Sequence, residues 1–244
     1  MRSVLLGDDI VSDGGGDGIL LVTAHPDDEV LFFAPALQAL GECLRLHVLC
    51  LSTGNYDGIG ALRSQELYTA CAELGLSSDR VAIVDDPHLS DDPHITWPED
   101  RVAMHIRKHL LYWNLHRILT FDQHGVTGHA NHCASYRGGL QLLRGEPHHI
   151  LRSSSCSRLR VYSLHSVSML RHYLSLWDIP LTLMAFLFAR AAGCRSRTVC
   201  CINLAPWLCH RAMQAHASQY VWFRRLNVFF SRYIHVNTLR EVTS

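Results

Sequence analysis

An excess of charge of either sign is missing from this sequence: 22 Lys and Arg stand against 22 Asp and Glu, a formal net charge of zero. Without a basic excess the chain is poorly suited to hold a polyanion by bulk electrostatics, so nucleic acid is excluded as the expected partner, though a local basic patch is not. Cysteines at CxxC spacing are also missing. Among nine cysteines the one adjacent pair is Cys200–Cys201, with no further thiol at ligand spacing. That excludes a zinc ribbon or finger and predicts reduced, mostly buried thiols in a cytosol-facing protein. No apolar run reaches bilayer length. The longest, Pro180 to Ala189 (PLTLMAFLFA), is about half of the ~20 residues a span requires and ends at Arg190, so buried core is its expected place. The opening MRSVLLGDDIVSDGGGDG is too acidic and too glycine-rich for the apolar core of a signal peptide. Residues 1–18 read as a flexible lead. Repeats and low-complexity tracts are absent, and the glycines at 14–16 precede the first predicted strand, whereas a dinucleotide fingerprint follows its strand.

What is present is apolar substance: 48% of the residues, enough for a large buried core. Residues 19–244 are expected to form one domain, with a membrane-proximal helical segment near the C-terminus. Ile19 to Ala24 is a short apolar run suited to a buried strand, followed by a helix-length segment from Asp28 to Leu40. Strand-like runs recur at Leu44–Ser52, Val81–Val84 and Ile118–Phe121, alternating with helical patterns at Ala61–Leu74 and Pro98–Leu115. Later strands are expected at Leu159–Leu164 and Thr198–Ile202, helices at Ala205–Ser218 and Trp222–Tyr233, and a surface loop from Gly145 to Ser157. Such alternation predicts an α/β, Rossmann-like, mostly parallel sheet with helices on both faces. Ligands of these sheets gather outside the carboxyl ends of the strands. The polar segments after Ala24, Ser52, Val84 and Phe121 all fall at such ends.

The first of them, His25–Pro26–Asp27–Asp28–Glu29, brings an imidazole and three carboxylates into one turn. Carboxylate oxygen with neutral imidazole suits a divalent ion such as zinc. His25 and Asp28 are spaced to chelate around the turn, leaving Asp27 free to take a proton from a water beside the ion. A helix N-terminus would account for the acidic residues alone, but not for His25. The second, Asp122 to His132, sets two glycines and an HxxH pair, His129 and His132, after another strand. One imidazole can complete a His–Asp–His set while the other faces a substrate.

AHPDDE after a strand with TFDxxGxxGHxNH about a hundred residues later resembles the PIG-L/LmbE-type N-acetylglucosamine deacetylases. SxGNY from Ser52, RxxEL from Arg63, DDPxxxW from Asp91 and WFRRLxxxFSRY from Trp222 resemble their eukaryotic branch, which acts on N-acetylglucosaminyl-phosphatidylinositol. The resemblance implies zinc, or another divalent metal, on His25, Asp28 and His132, with Asp27 as general base. It implies that His129 stabilises the charged intermediate or protonates the departing amine, that Arg63 contacts substrate, and that Asp92, with Asp91 as its competitor, contacts the sugar. It further implies a glycolipid substrate in glycosylphosphatidylinositol-anchor synthesis and a peripheral or tethered place on the cytoplasmic face of the endoplasmic reticulum membrane. Alternatives are a soluble N-acetylglucosaminide as substrate, or a catalytically silent carbohydrate- or lipid-binding relative. Thr127 stands where some bacterial members carry Tyr, and Asn131 replaces an Asp of the bacterial branch; both leave the oxyanion donor open.

Arg63 and Glu66, three apart on a predicted helix, suggest a structural pair with Arg63 also reaching substrate. Asn55 and Tyr56 are placed at the rim, Asn55 as a substrate contact. Trp222 to Tyr233 mixes aromatics with arginine, as a helix resting on a membrane surface would.

Overall fold

Four consecutive apolar residues at most 1% exposed, Ile19 to Val22, require covering on both sides, as the centre of a parallel sheet supplies. In the computed structural model, which describes residues 3–7, 10–11, 18–92, 94–145, 158–192 and 197–243, they form β2 (Gly18–Thr23). The other strands are β1 (Ser3–Leu6), β3 (Arg45–Cys50), β4 (Val81–Ile83), β5 (Arg117–Thr120), β6 (Arg160–Leu164), β7 (Thr198–Asn203) and β8 (Val236–Val242). They make one eight-stranded sheet in the order β1-β7-β8-β6-β5-β2-β3-β4. The run β6-β5-β2-β3-β4 is parallel, while β7 and β8 join it antiparallel. β2 lies between β3 and β5, so the chain order reverses across it and opens a crevice at its carboxyl end.

Helices cover both faces: α1 (Asp28–Leu31), α2 (Ala34–Gly41), α3 (Gly60–Glu73), α4 (Glu99–Trp113), α5 (Gly125–Gly128), α6 (Ala130–Gly145), α7 (Met169–His172), α8 (Asp178–Ala191), α9 (Pro206–Ala215) and α10 (Trp222–Phe230). The period of two along β2 assigns its sides. Ile19 and Leu21 meet the apolar faces of α1, α2, α3 and α9. Leu20 and Val22 meet Val102, Ile106 and Leu110 of α4 and Ala134 of α6. No helix among the described residues is long and apolar enough to cross a membrane.

Four expectations need correction. The helix foreseen from Asp28 to Leu40 is broken at Phe32–Phe33. Asn237 on β8 holds the break: its amide nitrogen donates to the Phe32 carbonyl at 2.9 Å, and its oxygen accepts the Ala36 N–H at 3.0 Å. Residues 3–6 of the supposed lead form an edge strand on β7; residues 12–17 lie outside the described residues, as does the loop foreseen after Gly145 through residue 157. The Pro180–Ala189 run belongs to α8, but it is not core. Ile179, Leu183 and Phe186 pack on the sheet, while Leu181, Met184, Leu187 and Phe188 stand in solvent. Finally, β8 was unforeseen.

Because Asn237 is fully buried, Asn237→Leu would strand two backbone groups at about 1–3 kcal/mol each. The unfolding midpoint is expected to fall by roughly 5–10 °C. A change below about 1 °C would show that the break holds without it.

Candidate active site

The turn after β2 is strained where chemistry needs it. Asp27 has φ 117°, a region that asparagine and aspartate enter more readily than most residues. Its conformation is fixed from outside: the Asp27 N–H donates to Glu29 Oε2 at 3.1 Å, and Glu29 Oε1 lies 2.6 Å from His216 Nε2. Glu29 and His216 are both completely buried. Burial lowers His216, but the Glu29 carboxylate, as a charge and as a hydrogen-bond partner, more than offsets it, so the net shift is upward. A histidine raised above its ordinary value adds stability that is complete below that value and fades as pH rises through the raised one. The stability gap between this protein and His216→Gln is therefore expected to be full below pH ~6.5 and to narrow on going more alkaline. Unfolding midpoints across pH would check this; a gap that widens with pH contradicts it.

Asp28 is the hub of the turn. Its Oδ2 accepts the N–H groups of Ala24 and His25 at 3.0 and 2.9 Å, which leaves Oδ1 facing His132 Nε2 at 3.2 Å. Burial would raise Asp28, yet the His132 and His25 imidazoles hold it well below the usual carboxylate range. His132 comes from the first turn of α6, 104 residues on in sequence, and Phe121 stacks flat against it with ring centroids 3.9 Å apart. His132 Nδ1 lies 3.1 Å from the Gly125 carbonyl. A carbonyl only accepts, so a ring proton sits on Nδ1, and Nε2 is the nitrogen turned to Asp28. Gly125 is required for this approach: its φ is 54°, and a Cβ there would come within 2.9 Å of the His132 Cβ.

His25 repeats the pattern. Its Nε2 lies 3.0 Å from Asp91 Oδ1 and 3.1 Å from the Asn131 amide nitrogen, while Nδ1 faces Asp28 Oδ2 at 3.8 Å. A carboxylate fixing one imidazole nitrogen so that the other can bind a cation is a recurring support of metal sites. Burial works against it, but Asp91, then Asp28, raises His25. His129 completes a three-imidazole group with His25 and His132, one nitrogen of each lying within 4.8 Å of the others. Unlike those two it is exposed. The partial desolvation of its ring, packed against the His25 and His132 imidazoles, and the charge of those imidazoles bring it down to about 4. Imidazole nitrogens and carboxylate oxygens turned on one another in a buried space ask for a proton or a cation between them. The donor set therefore fits a divalent metal.

Asp27 stands beside this set. Arg224 Nη1 of α10 lies 2.6 Å from its Oδ2 and Arg63 Nη2 lies 3.8 Å from it. The Arg224 contact is an ion pair whose angle falls short of a hydrogen bond, because the same oxygen has no hydrogen-bond partner. Burial raises Asp27, Arg224 opposes, and the Asp28 charge raises it further; the net direction is upward.

The structure brings the predicted His25, Asp27, Asp28, His129, His132 and Arg63 to one rim, and it redistributes the rest. Arg63 is buried and donates to the carbonyls of Gly54 and Pro26 at 3.0 and 2.8 Å. It also donates to Asp91 at 3.3 Å. It ties three strand-end loops together. The predicted Arg63–Glu66 pair does not form, because the Glu66 carboxylate accepts the N–H and hydroxyl of Ser218 at 2.7 and 2.6 Å. Asp91, not Asp92, lies against His25; Asp92 accepts the His94 N–H and closes a local turn. The Asn55 side-chain oxygen accepts the Gly60 N–H at the start of α3. Asp122 accepts from His124, Gly125 and Ser166 and shapes the loop that presents His129. Sequence reasoning gave no site role to Glu29, His216, Arg224 or Asp122. The signal for Asp122 was its place directly after β5; for the others, contacts spanning up to 197 positions left none.

Comparison with known proteins places this geometry. The model of the PIG-L family, described as GlcNAc-PI de-N-acetylase, matches residues 20–143. The N-acetylglucosaminyl-phosphatidylinositol de-N-acetylase of Bos taurus is 38% identical over 227 residues, covering 93% of this chain and 84% of its own. The probable N-acetylglucosaminyl-phosphatidylinositol de-N-acetylase of Schizosaccharomyces pombe is 35% identical, covering 93% and 88%. Among solved structures, the N,N'-diacetylchitobiose deacetylase of Pyrococcus horikoshii superposes with TM-score 0.58 at 13% identity, covering 93% of this chain and 84% of that one. A 4-carboxy-2-hydroxymuconate hydratase of Pseudomonas putida does so with TM-score 0.60 at 14% identity, covering 93% and 97%. One fold thus carries two chemistries, so these structures speak for the fold alone.

Proposed function

This chain belongs to the PIG-L family of GlcNAc-PI de-N-acetylases, and from that premise we propose that it hydrolyses the acetamide of N-acetylglucosaminyl-phosphatidylinositol with zinc as its metal, in glycosylphosphatidylinositol-anchor synthesis. The observation that carries the chemistry is the meeting of the β2 turn with α6: Asp28 Oδ1 and His132 Nε2 face each other at 3.2 Å, with Asp27 beside them. His25, Asp28 and His132 would hold the ion, with His129 at its exposed edge. When bound, such an ion supplies Lewis-acid polarisation of a carbonyl and acidifies water.

The chain's own residues do the rest. Asp27 accepts the proton of the water whose oxygen attacks the acetyl carbon. Arg224 and Arg63 orient that carboxylate through its Oδ2. His129, at the open edge, directs an N–H toward the oxygen on which negative charge develops. The C–N bond then breaks, and the proton held on Asp27 passes to the amine nitrogen, which cannot leave as an anion. Acetate and glucosaminyl-phosphatidylinositol, with its amine free, remain. Arg63 acts as a positioning residue, since its two terminal nitrogens are taken up by Gly54, Pro26 and Asp91. A substrate that carries lipid supports work at the cytoplasmic face of the endoplasmic reticulum membrane, with the protein peripheral or tethered there.

Mass spectrometry of synthetic N-acetylglucosaminyl-phosphatidylinositol and of its water-soluble headgroup tests the substrate. Loss of one acetyl group from the lipid form is the expected result. Deacetylation of the headgroup alone would overturn the glycolipid assignment and leave the hydrolytic chemistry standing.

A further inference from the structure

A cavity of about 150 Å³ lies between α8 and the antiparallel edge of the sheet. Four arginines reach its lining: Arg171, Arg190, Arg232 and Arg240. The Asp178 carboxylate is the counter-charge among the described residues at this lining, and two of the arginines share it. Arg171 Nε reaches its Oδ1 at 2.7 Å, and Arg232 Nε reaches its Oδ2 at 2.5 Å. Arg232 is fully buried, and its Nη1 has no hydrogen-bond partner. Buried polar groups are nearly always satisfied, and a buried guanidinium with an idle nitrogen lacks an acceptor. Arg240 Nη2 lies 3.1 Å from His165 Nε2, and Arg190 rests over the Phe186 ring. The cavity is thus an anion-deficient pocket with forked donors, the geometry that suits a phosphate.

Its surroundings are apolar and unpartnered. α8 forms one wall, and its outer face shows Phe188 77% exposed, with Met184 and Leu187 beside it. Trp177, just before α8, is 78% exposed. Tyr173, just after α7, lines one cleft with Phe223, Leu226 and Phe230 of α10, and Met169 and Leu170 of α7 are exposed. On α10, Trp222 is 72% exposed. Soluble proteins rarely expose so many large apolar side chains together. The charged residues of these helices that reach the surface are Arg171, Arg190, Arg224 and Arg225, all cationic. Aromatics with arginine and no exposed acid are the composition of a surface that lies in an anionic lipid interface.

We propose that the arginine cavity under α8 binds the phosphate of an anionic phospholipid, and that this contact seats the apolar faces of α7, α8 and α10 on a bilayer. The site is separate from the hydrolytic centre and would stand whatever acyl substrate that centre takes. The full chain binds phosphatidylcholine vesicles weakly and vesicles containing phosphatidylinositol more tightly, with the difference shrinking as salt rises. Arg190→Gln with Arg240→Gln, both exposed and outside the catalytic rim, lowers partition onto the anionic vesicles by about fivefold for each charge. Binding to neutral vesicles and acetate release from detergent-dispersed substrate stay as they were. Trp177→Ser with Phe188→Ser lowers binding to both kinds of vesicle. Equal binding of the unsubstituted protein to neutral and anionic vesicles would overturn the proposal without recourse to any variant. So would a double arginine variant that is folded and binds anionic vesicles normally. Inorganic phosphate that raises the unfolding midpoint as much as the anionic vesicles do would assign the cavity to a soluble anion and remove the lipid.

Discussion

Asp27→Asn is expected to yield a folded protein that holds its metal and turns over about 10²–10⁴-fold more slowly, the contribution of a positioned general base. The substitution is a clean probe for a structural reason. Asp27 occupies φ 117°, and asparagine enters positive φ nearly as readily as aspartate. Its backbone N–H would still be held by Glu29. What vanishes is a carboxylate able to accept a proton beside the His25–Asp28–His132 cluster, along with the partner of Arg224. Removing one of two adjacent buried carboxylates also relieves repulsion, so the unfolding midpoint should hold or rise slightly. Full turnover by this variant would take Asp27 out of the chemistry.

His132→Ala is expected to cost both metal and activity. The Lewis-acid contribution of a bound ion amounts to several kcal/mol, and about 4 kcal/mol corresponds to ~10³-fold in rate. The contrast with His129→Ala gives the experiment its resolving power. Three imidazoles approach one point, but the buried pair His25 and His132 flanks Asp28, whereas His129 is exposed. If Asp28 completes the set, His129→Ala keeps one metal per chain and slows turnover by about 10²–10³-fold, as loss of an oxyanion donor does. If the three imidazoles are the set, His129→Ala loses metal as His132→Ala does, and Asp28→Ala keeps it. Elemental analysis of the three purified variants separates the two arrangements.

The parallel half of the fold was legible because its signals are local. β2, β3 and β5 are short apolar runs followed at once by polar turns, and burial on both faces demands such runs. The HPDDE turn and the HxxH pair could be read as one centre because both follow strands of a parallel sheet, whose ends share a rim. What escaped depends on contacts distant in sequence. β8 reads as VNTLREV, where Asn237 and Thr238 dilute the alternation, and Asn237 is buried only because it bridges the broken helix 200 residues upstream. The break at Phe32 and Phe33 did carry a local mark, Pro35 in the first turn of α2, and the helical reading from Asp28 to Leu40 passed over it. Arg63 and Glu66 have the spacing of a helix pair, yet each meets a stronger partner delivered by another segment. α8 was assigned to the core because apolar character was taken for burial. Hydropathy reports the preference of a side chain and not whether another element arrives to cover it.

The chelation and add-back experiment tests the central claim most directly. Acetate release from synthetic N-acetylglucosaminyl-phosphatidylinositol would be followed in the full chain before chelation, after it, and after addition of zinc. The account predicts activity, then background, then recovery near one zinc per chain, with the fold intact throughout by circular dichroism. Undiminished acetate release from protein that elemental analysis shows to be free of metal would contradict it.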